Sequence, residues 1–537
     1  MKTVSKGASI AVPLVVFACA FATIMATVSD YGLTWDEPFY VQHSDRIAAW
    51  CRKLASSDAP FSEENIQQHW NYDRFHNCHP PFAKLAGIAV KNTVGELVAA
   101  NPLHGYRLAT AAWAGVLVAL LALYLVRAHG SVGVALLGAA LFLVTPRFFA
   151  HCHFYATDLP VASLAFLVLH VLAAHPGSWR WALVAGLAAG ALLATKFTGV
   201  LVFPVAFAGI LVAGHRKRFL WCYSLFFAVA WISFVLFDPY MWFGPKEELG
   251  FYFGSALGRF DFARISTAYF GRIYSAKLPW HHPFVMFAMV MPATVLPFIL
   301  IGFCAAARDC RSPLHFFECV PFVILMIIFA LPQTPKHDGI RLFSMVWPFI
   351  VILAVRGVTA TADGIGVLAR RFSARVDPDR LAAAVRLMLL VLCCLVSLAG
   401  IHRYHPYELS YYNGIIGGAG GAQRSGFTVS YWFEALDAHM LEEMDRVDGD
   451  ASILVHSIPN PEIIEQNRAL GLAPDGVIQV DSIEESDYIL VLNRMLTPAL
   501  CELIEKNEPA VLVSRDDGLI IGLFENSARR RPVPAGP

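Results

Sequence analysis

Residues 31–40 read YGLTWDEPFY, and they place two adjacent carboxylates, Asp36 and Glu37, directly after a long apolar segment. The whole chain is 57% hydrophobic and only 15% charged. Average soluble domains carry about 25% charged residues, so this composition indicates a membrane protein. The formal net charge is zero, so only the distribution of charge along the chain can inform on orientation and partners.

The apolar residues fall into about eleven segments that are long enough, or nearly so, to cross a bilayer as helices of about 20 residues. They run at about 9–29, 107–127, 131–147, 158–175, 181–195, 198–214, 219–237, 283–304, 317–332, 342–360 and 384–401. We therefore expect an α-helical polytopic membrane protein in which residues 1–401 form the transmembrane domain.

The short basic loops orient these segments, because Lys and Arg accumulate on the cytoplasmic side of a membrane. If the N-terminus is cytoplasmic, all strongly basic short loops fall on that side: Arg127; Arg180; HRKR at 215–218; Arg308 and Arg311; and Arg370, Arg371, Arg375 and Arg380. Asp36 and Glu37 then lie on the extracytoplasmic face of a cell inner membrane, which excludes cytosolic nucleotides as direct substrates. A cleaved signal peptide ending at AFA (20–22) is the less favoured alternative, since the apolar run is long for one.

Residues 402–537 differ in pattern and predict a separate extracytoplasmic, in bacteria periplasmic, domain. Short runs rich in Val and Ile, at 451–457, 476–480, 487–493, 509–514 and 516–525, alternate with helix-like stretches at 434–447 and 497–507. Alternation of this kind is typical of a small α/β domain. Its spacing shows no catalytic motif, so we interpret it as a capping or recognition module.

Ionisable residues gather at the predicted extracytoplasmic boundary, where they are costly unless they face a cavity or one another. The candidates are Asp36, Glu37, His79, Lys84, Arg147, Asp158, Lys196, Lys336 and Arg341. Adjacent side chains such as Asp36 and Glu37 diverge in either a helix or a strand. They therefore cannot flank one bond as the carboxylates of a glycoside hydrolase do. One of them can serve as a base, which suffices when the leaving group is as good as a phosphate.

The basic members of this set suit a phosphate or pyrophosphate group. Because they lie at a membrane boundary, that phosphate is expected on a lipid. A base, phosphate-binding cations and membrane access together indicate glycosyl transfer from a polyprenyl-phosphate sugar to a hydroxyl. A transporter or flippase for a charged amphiphile or lipid-linked sugar is the alternative, although inverted repeats, which are frequent in transporters, do not stand out.

Seven motifs follow one another along the chain: TWDEPFY (34–40), HPPFAK (79–84), YRLATAAWAGVL (106–117), TPRFFAHCHFYATDLP (145–160), ATKFTG (194–199), HDGIRLF (337–343) and HPYELSYYNGIIGGAGGA (405–422). This order resembles GT-C glycosyltransferases, above all family 39, which includes protein O-mannosyltransferases and the bacterial aminoarabinose transferases of lipid A. The resemblance extends over about residues 9–435, and the tail is less typical.

The resemblance implies a role for each matching residue. Asp36 corresponds to the general base, Glu37 to its secondary companion and Asp158 to the second acidic position. His79 and Lys84 correspond to the HPP-x-x-K segment at the membrane surface, where Lys84 is a phosphate contact. Lys196 and Arg341 match more loosely as residues that face the lipid phosphate.

The same resemblance implies an inverting, metal-independent reaction without cofactors. The expected partners are a polyprenyl-phosphate sugar, membrane lipids and a lipid, polysaccharide or protein hydroxyl, but no nucleic acid. The sequence leaves the sugar and the acceptor open.

Simpler readings of the same residues remain. An interfacial charge or a helix cap would also explain Asp36, and a cap of the helix that follows it would explain Asp158. His76, Cys78, His79, His151 and His153 fit no known metal-ligand spacing, although imidazole and thiolate favour zinc or copper. Cys51 and Cys78 lie in one extracytoplasmic loop, where a disulfide is chemically possible.

Overall fold

The computed structural model describes residues 6–54, 56, 58–71, 79–99, 101–212, 216–257, 265–308, 313–372, 377–447, 451–456, 462–473 and 476–526. Five helices are long and apolar enough to cross a membrane, and shorter apolar helices accompany them. The apolar helices are Lys6–Thr27, Pro102–His129, Val132–Leu143, Asp158–Ala174, Trp179–Leu193, Val202–Val212, Arg216–Phe237, His282–Val290, Leu296–Ala307, Pro313–Ala330, Trp347–Phe372 and Pro378–Tyr404. The predicted helical fold class is confirmed.

One predicted segment differs from expectation, since residues 283–304 do not form a continuous helix. The helix His282–Val290 stops at Met291, whose backbone is extended, and a second helix begins only at Leu296. Pro292 explains the break, because a proline disfavours the helical conformation in the residue before it and has no N–H to donate.

Two helices of the bundle pack in close contact. The helices Leu296–Ala307 and Trp347–Phe372 touch through their backbones, since a Cβ at Gly302 would overlap the carbonyl oxygen of Leu353. Small residues permit such close approach between helices in membranes. This contact fixes the helix that follows Arg341.

The described part of the loop after the first helix contains the helix Glu96–Val98, the π-helical turn Lys91–Gly95 and the helices Glu37–Lys53, Glu63–Trp70 and Phe82–Val90. The helix Phe82–Val90 is hydrogen-bonded to the bundle, because the backbone N–H of Phe82 donates to the carbonyl oxygen of Ala194, 2.9 Å away. The HPP segment therefore lies beside the turn that carries Lys196.

The C-terminal part contains a five-stranded mixed sheet in the order Ile478–Val480, Ser452–His456, Tyr488–Leu492, Gly518–Glu525, Pro509–Arg515. The first three strands run parallel, and the last two pair antiparallel. The helices Ala438–Val447, Ile463–Ala469 and Pro498–Lys506 accompany it, and a separate hairpin pairs Thr267–Tyr269 with Arg272–Tyr274. These elements match the α/β pattern of the sequence.

The chain between Tyr404 and the sheet packs against the bundle. One hydrophobic cluster contains Tyr31 and Trp35 from the first loop together with Trp432 and Leu490 from the C-terminal part. The N–H of Trp35 also donates to the carbonyl oxygen of Trp432 at 3.3 Å. The division at residue 402 stays a prediction, but the segment beyond it forms one wall of the site described next.

Candidate active site

The site is organised around the guanidinium of Arg341, which contacts three carboxylates. Nη2 donates to Oδ2 of Asp36, Nε to Oδ2 of Asp158 at 3.1 Å, and Nη1 to Oδ2 of Asp338 at 3.1 Å. Lys196 adds a second cation, with its Nζ 2.8 Å from Oδ1 of Asp158. We call these five residues the Arg341 cluster. Four of them were predicted site residues, and the fold brings them together from four separate stretches of sequence.

Asp36 is the most accessible carboxylate of the Arg341 cluster. Its side chain is 20% exposed, whereas that of Asp158 is 2% exposed. Besides Arg341, the indole Nε1 of Trp432 donates to Oδ2 of Asp36 at 2.9 Å, and the Arg341 guanidinium lies 3.9 Å from the centroid of the Trp432 ring. Both hydrogen bonds end on Oδ2, and within the described residues Oδ1 accepts no hydrogen bond.

Glu37 points away from this cluster and is fully buried. Arg107 binds it with two hydrogen bonds, from Nε at 2.8 Å and from Nη2 at 2.7 Å. The backbone N–H groups of Thr34 and Tyr155 donate to the same carboxylate at 3.0 and 2.8 Å. The catalytic role of Glu37 stays a prediction, and its contacts are those of a positioning residue that fixes the loop carrying Asp36.

Asp158 is the first residue of the helix Asp158–Ala174, and Thr157 occupies the N-cap position. Its two oxygens are held by Lys196 and Arg341. Because the side chain is buried and each oxygen faces a cation, Asp158 holds both cations in place. These contacts favour a role in the site over the simple helix cap.

Lys84 and His79 form a neighbouring layer. The Nζ of Lys84 donates to the carbonyl oxygen of His79 at 2.7 Å and lies 5.4 Å from the centroid of the Tyr40 ring. The His79 and Tyr40 ring centroids are 6.2 Å apart. The residues between Asn71 and His79 lie outside the described part of the chain, and with them His76, Cys78 and the proposed Cys51–Cys78 pairing. The phosphate contact of Lys84 stays a prediction.

Lys336 closes its own loop. Its ammonium donates to the carbonyl oxygens of Leu331 and Thr334 at 2.5 and 3.1 Å. Burial lowers the pKa of Lys336 to about 8, because the charged form is poorly solvated there. These contacts explain its burial by loop structure, and its predicted substrate role stays a prediction.

Arg147 is fully buried between aromatic rings. Its Nε donates to the carbonyl oxygen of Tyr411 at 3.0 Å, and its guanidinium lies 4.7 Å from the Tyr412 centroid and 5.7 Å from that of Tyr431. In the part of the chain that the structure describes, neither terminal nitrogen has a hydrogen-bond partner of acceptable geometry.

Sequence reasoning missed the contribution of the C-terminal part. Arg494 lies 3.7 Å from Oδ1 of Asp338 and 4.2 Å from the centroid of the Trp35 ring. Its Nη1 also donates to the carbonyl oxygen of Tyr431. The one sequence feature that could have indicated this contribution is the aromatic and acidic stretch SYWFEA at 430–435, and it shows no catalytic spacing.

The metal alternative has no geometric counterpart among the described residues. No group of three His, Cys, Asp or Glu side chains there is arranged to hold a metal ion. The ring nitrogens Nδ1 and Nε2 of His153 bond the Phe149 carbonyl oxygen and the Thr27 hydroxyl, both at 2.8 Å. His151 Nε2 lies 3.2 Å from the Tyr431 hydroxyl.

Comparison with known proteins agrees with this architecture. Residues 93–243 match the family model for dolichyl-phosphate-mannose-protein mannosyltransferase. This range includes Arg107, Arg147, Asp158 and Lys196. The fold is similar to that of ArnT from Cupriavidus metallidurans bound to undecaprenyl phosphate, with a TM-score of 0.51 and 15% identity over 96% of this chain and 98% of that one.

Two further solved structures are similar with lower TM-scores. The apo state of the same ArnT gives a TM-score of 0.47 at 16% identity, over 96% of this chain and 98% of that one. The oligosaccharyltransferase AglB from Archaeoglobus fulgidus, in complex with an inhibitory peptide and a dolichol-phosphate, gives 0.48 at 12% identity, over 89% and 69%. No curated protein sequence matches the chain.

The similarity to ArnT defines the class of fold: the chain has the multi-pass fold of the GT-C membrane glycosyltransferases. Within that class, it is the stretch 93–243 that carries the likeness to the protein mannosyltransferases. The resemblance predicted from the sequence is confirmed.

Proposed function

We propose that the protein transfers a sugar from a polyprenyl-phosphate donor to a hydroxyl acceptor at the extracytoplasmic membrane face, with inversion at the anomeric carbon. The geometry of Asp36 supports this proposal best. One of its oxygens is held by Arg341 and Trp432, and the other remains open within the described residues. A fixed carboxylate with one open oxygen is what a general base requires.

In the reaction, Oδ1 of Asp36 takes the proton of the acceptor hydroxyl while the acceptor oxygen forms a bond to the anomeric carbon. The bond from that carbon to the phosphate oxygen breaks, and the lipid phosphate leaves with the electron pair. Nearby cations, Arg341, Lys196 and Lys84, stabilise the negative charge that develops on the phosphate. Because these side chains supply the positive charge, we propose that the reaction proceeds without a metal ion and is insensitive to EDTA.

The donor class is supported by the fold relative, since ArnT was solved with undecaprenyl phosphate bound. The extracytoplasmic orientation is supported by the distribution of Lys and Arg among the loops. The acceptor is a hydroxyl of a lipid, a polysaccharide or a protein.

Transfer is tested in proteoliposomes that contain undecaprenyl-phosphate sugars with a labelled sugar, supplemented with cell-envelope extract as acceptor. We expect the label to move into a covalent product while an equal amount of undecaprenyl phosphate is released. Asp363→Asn, which alters a carboxylate with a 56% exposed side chain paired with Arg386, is the control and should transfer normally. Movement of intact donor across the bilayer without release of undecaprenyl phosphate would contradict the proposal in favour of transport.

A further inference from the structure

A second group of polar atoms lies next to the Arg341 cluster and is not used by the proposed proton transfer. Within the described residues, several buried atoms there have no hydrogen-bond partner of acceptable geometry: both terminal nitrogens of Arg147, Nδ1 of His151, Nε1 of Trp347 and both carboxylate oxygens of Glu434. Native proteins satisfy most buried polar groups, so a concentration of unsatisfied ones needs an explanation.

These groups surround one residue, Tyr431. Its hydroxyl lies 3.2 Å from Nε2 of His151, and its ring centroid is 5.7 Å from the Arg147 guanidinium. Glu434 follows three residues later in the same segment, and its side chain is buried. The His151 ring is in turn 5.1 Å from Trp347 and 5.5 Å from Trp432, centroid to centroid. The unsatisfied atoms therefore belong to one region bounded by aromatic rings.

The two charged members are buried without forming an ion pair with each other. Arg147 is fully buried, and Glu434 is 1% exposed. Burial raises the pKa of the Glu434 carboxyl to about 7. The Arg147 guanidinium donates only through Nε, to the Tyr411 carbonyl oxygen, so the desolvation of its two terminal nitrogens is uncompensated within the described residues unless a ligand bonds to them.

Gly339 packs directly against Arg147 and Tyr431. Its backbone has a φ of +64°, and a Cβ at this position would lie 2.5 Å from Nη1 of Arg147 and 3.2 Å from Cε1 of Tyr431. A side chain here would be strained in its backbone and would displace the guanidinium. Glycine at this position therefore allows Arg147 to keep its place beside Tyr431.

The chemistry of these groups selects the ligand. Arg147 needs acceptors, His151 and Glu434 can each donate or accept, and the indole of Trp347 donates. Sugar hydroxyls both donate and accept, and the C–H face of a sugar ring packs on aromatic side chains. A phosphodiester would suit Arg147, but it has no proton to donate to an ionised Glu434 carboxylate.

We propose that Arg147, His151 and Glu434 form the subsite for the sugar ring of the donor, next to the phosphate-binding cations of the Arg341 cluster. This inference rests on the proposed function and assigns Arg147 to the sugar rather than to the phosphate that the sequence predicts for it. It also makes Glu434 a binding residue supplied by the C-terminal part of the chain.

The test compares the affinities of the full-length protein in detergent for undecaprenyl phosphate and for a panel of undecaprenyl-phosphate hexoses and pentoses, with and without an amino group. The wild type should bind at least one sugar-loaded lipid at least tenfold more tightly than the bare phosphate. Glu434→Gln and Arg147→Lys should each weaken binding of the sugar-loaded lipid by about 10- to 100-fold. This is the loss expected for a hydrogen bond to a charged group. Both variants should bind undecaprenyl phosphate with an affinity within about twofold of that of the wild type.

Glu442→Gln is the matched control, since it makes the same chemical change on an exposed helix face a few residues further on. Equal losses for bare and sugar-loaded lipid would overturn the subsite, as would a wild type that binds no sugar-loaded lipid more tightly than the bare one. The wild-type comparison holds even if a variant does not fold. Binding needs no turnover, so the two proposals can fail separately. Selective binding of the sugar-loaded lipid without sugar transfer would refute only the proposed function. Sugar transfer, together with an unchanged preference for the sugar-loaded lipid in both variants, would refute only the subsite.

Discussion

Two charge clusters lie along the helical segment Arg341–Phe372, one at its start and one about halfway along it, and they are built differently. The second, which we call the Arg356 cluster, contains Arg356, Glu318, Tyr124 and His315. Arg356 Nε lies 3.6 Å from Oε2 of Glu318, Oε1 of Glu318 accepts from the Tyr124 hydroxyl at 3.1 Å, and Nη2 of Arg356 contacts His315. Helical rise places Arg341 and Arg356 roughly 25 Å apart.

The Arg356 cluster pairs one acid with one arginine, and its members all lie within helices. The Arg341 cluster joins three acids to two cations, and its members lie in loops or at helix ends. A balanced ion pair between helices is explained by packing alone. With Arg494, which pairs with Asp338, the three acids face three cations. A polar network of this kind in loops is typical of a functional site, because functional side chains tend to lie on loops held by a rigid scaffold.

The sharpest test of this difference is Asp36→Asn. Loss of the general base should lower the transfer rate by about 10²- to 10⁴-fold, with the thermal midpoint of the purified protein little changed. Initial rates with labelled donor, measured at equal amounts of folded protein, check this. Glu318→Gln removes a carboxylate from the Arg356 cluster and should retain the rate; equal losses in both variants would erase the distinction.

Glu37→Gln separates the two adjacent acids of the first loop. Breaking the buried pair with Arg107 should cost about 3–5 kcal/mol of stability, because the guanidinium stays buried without its anion. Thermal unfolding in detergent should show a large fall in midpoint, whereas Glu96→Gln, at an exposed pair with Lys91, should show almost none. A stable Glu37→Gln protein with no activity would instead assign Glu37 a direct chemical role.

Glu318→Gln should also cost stability, but less than Glu37→Gln. Its pairing with Arg356 is longer and Arg356 is 22% exposed, so the loss should be about 1–3 kcal/mol. The Tyr124 hydroxyl retains an acceptor in the glutamine. An unfolding midpoint unchanged from wild type would show that the Arg356 cluster does not stabilise the fold.

The smallest predicted effect concerns His405, which joins the first loop to the C-terminal part. Its hydrogen bond to Glu408, at 2.7 Å, and its contact with Asp30, at 3.0 Å, raise its pKa to about 9. Since the folded-state pKa exceeds the unfolded value of about 6.5, the stabilisation is complete below that pH and is lost as the pH rises through about 9.

Replacing His405 by Gln should therefore lower the thermal midpoint at pH 6 and have little effect at pH 10. Unfolding curves of both proteins across this range measure the difference. A midpoint difference that does not vary with pH would show that the imidazole is not charged in the folded protein.

Much of the fold follows from the sequence because bilayer length and apolar runs constrain helices strongly. The break at Pro292 was missed because the run around it is apolar throughout. Divergence of Asp36 and Glu37 follows from local geometry, and the two indeed contact different arginines. The contacts of Trp432 and Arg494 were not predictable, because no local pattern links residues so far apart in the chain to the first loop.

The account is tested most directly by locating the phosphate of bound undecaprenyl phosphate in a cryo-electron microscopy structure of the full chain in lipid nanodiscs. We expect the phosphate within hydrogen-bonding distance of Lys84, Lys196 or Arg341, on the open side of Asp36. A phosphate bound beside Arg356 and His315, or away from Asp36, would contradict the account.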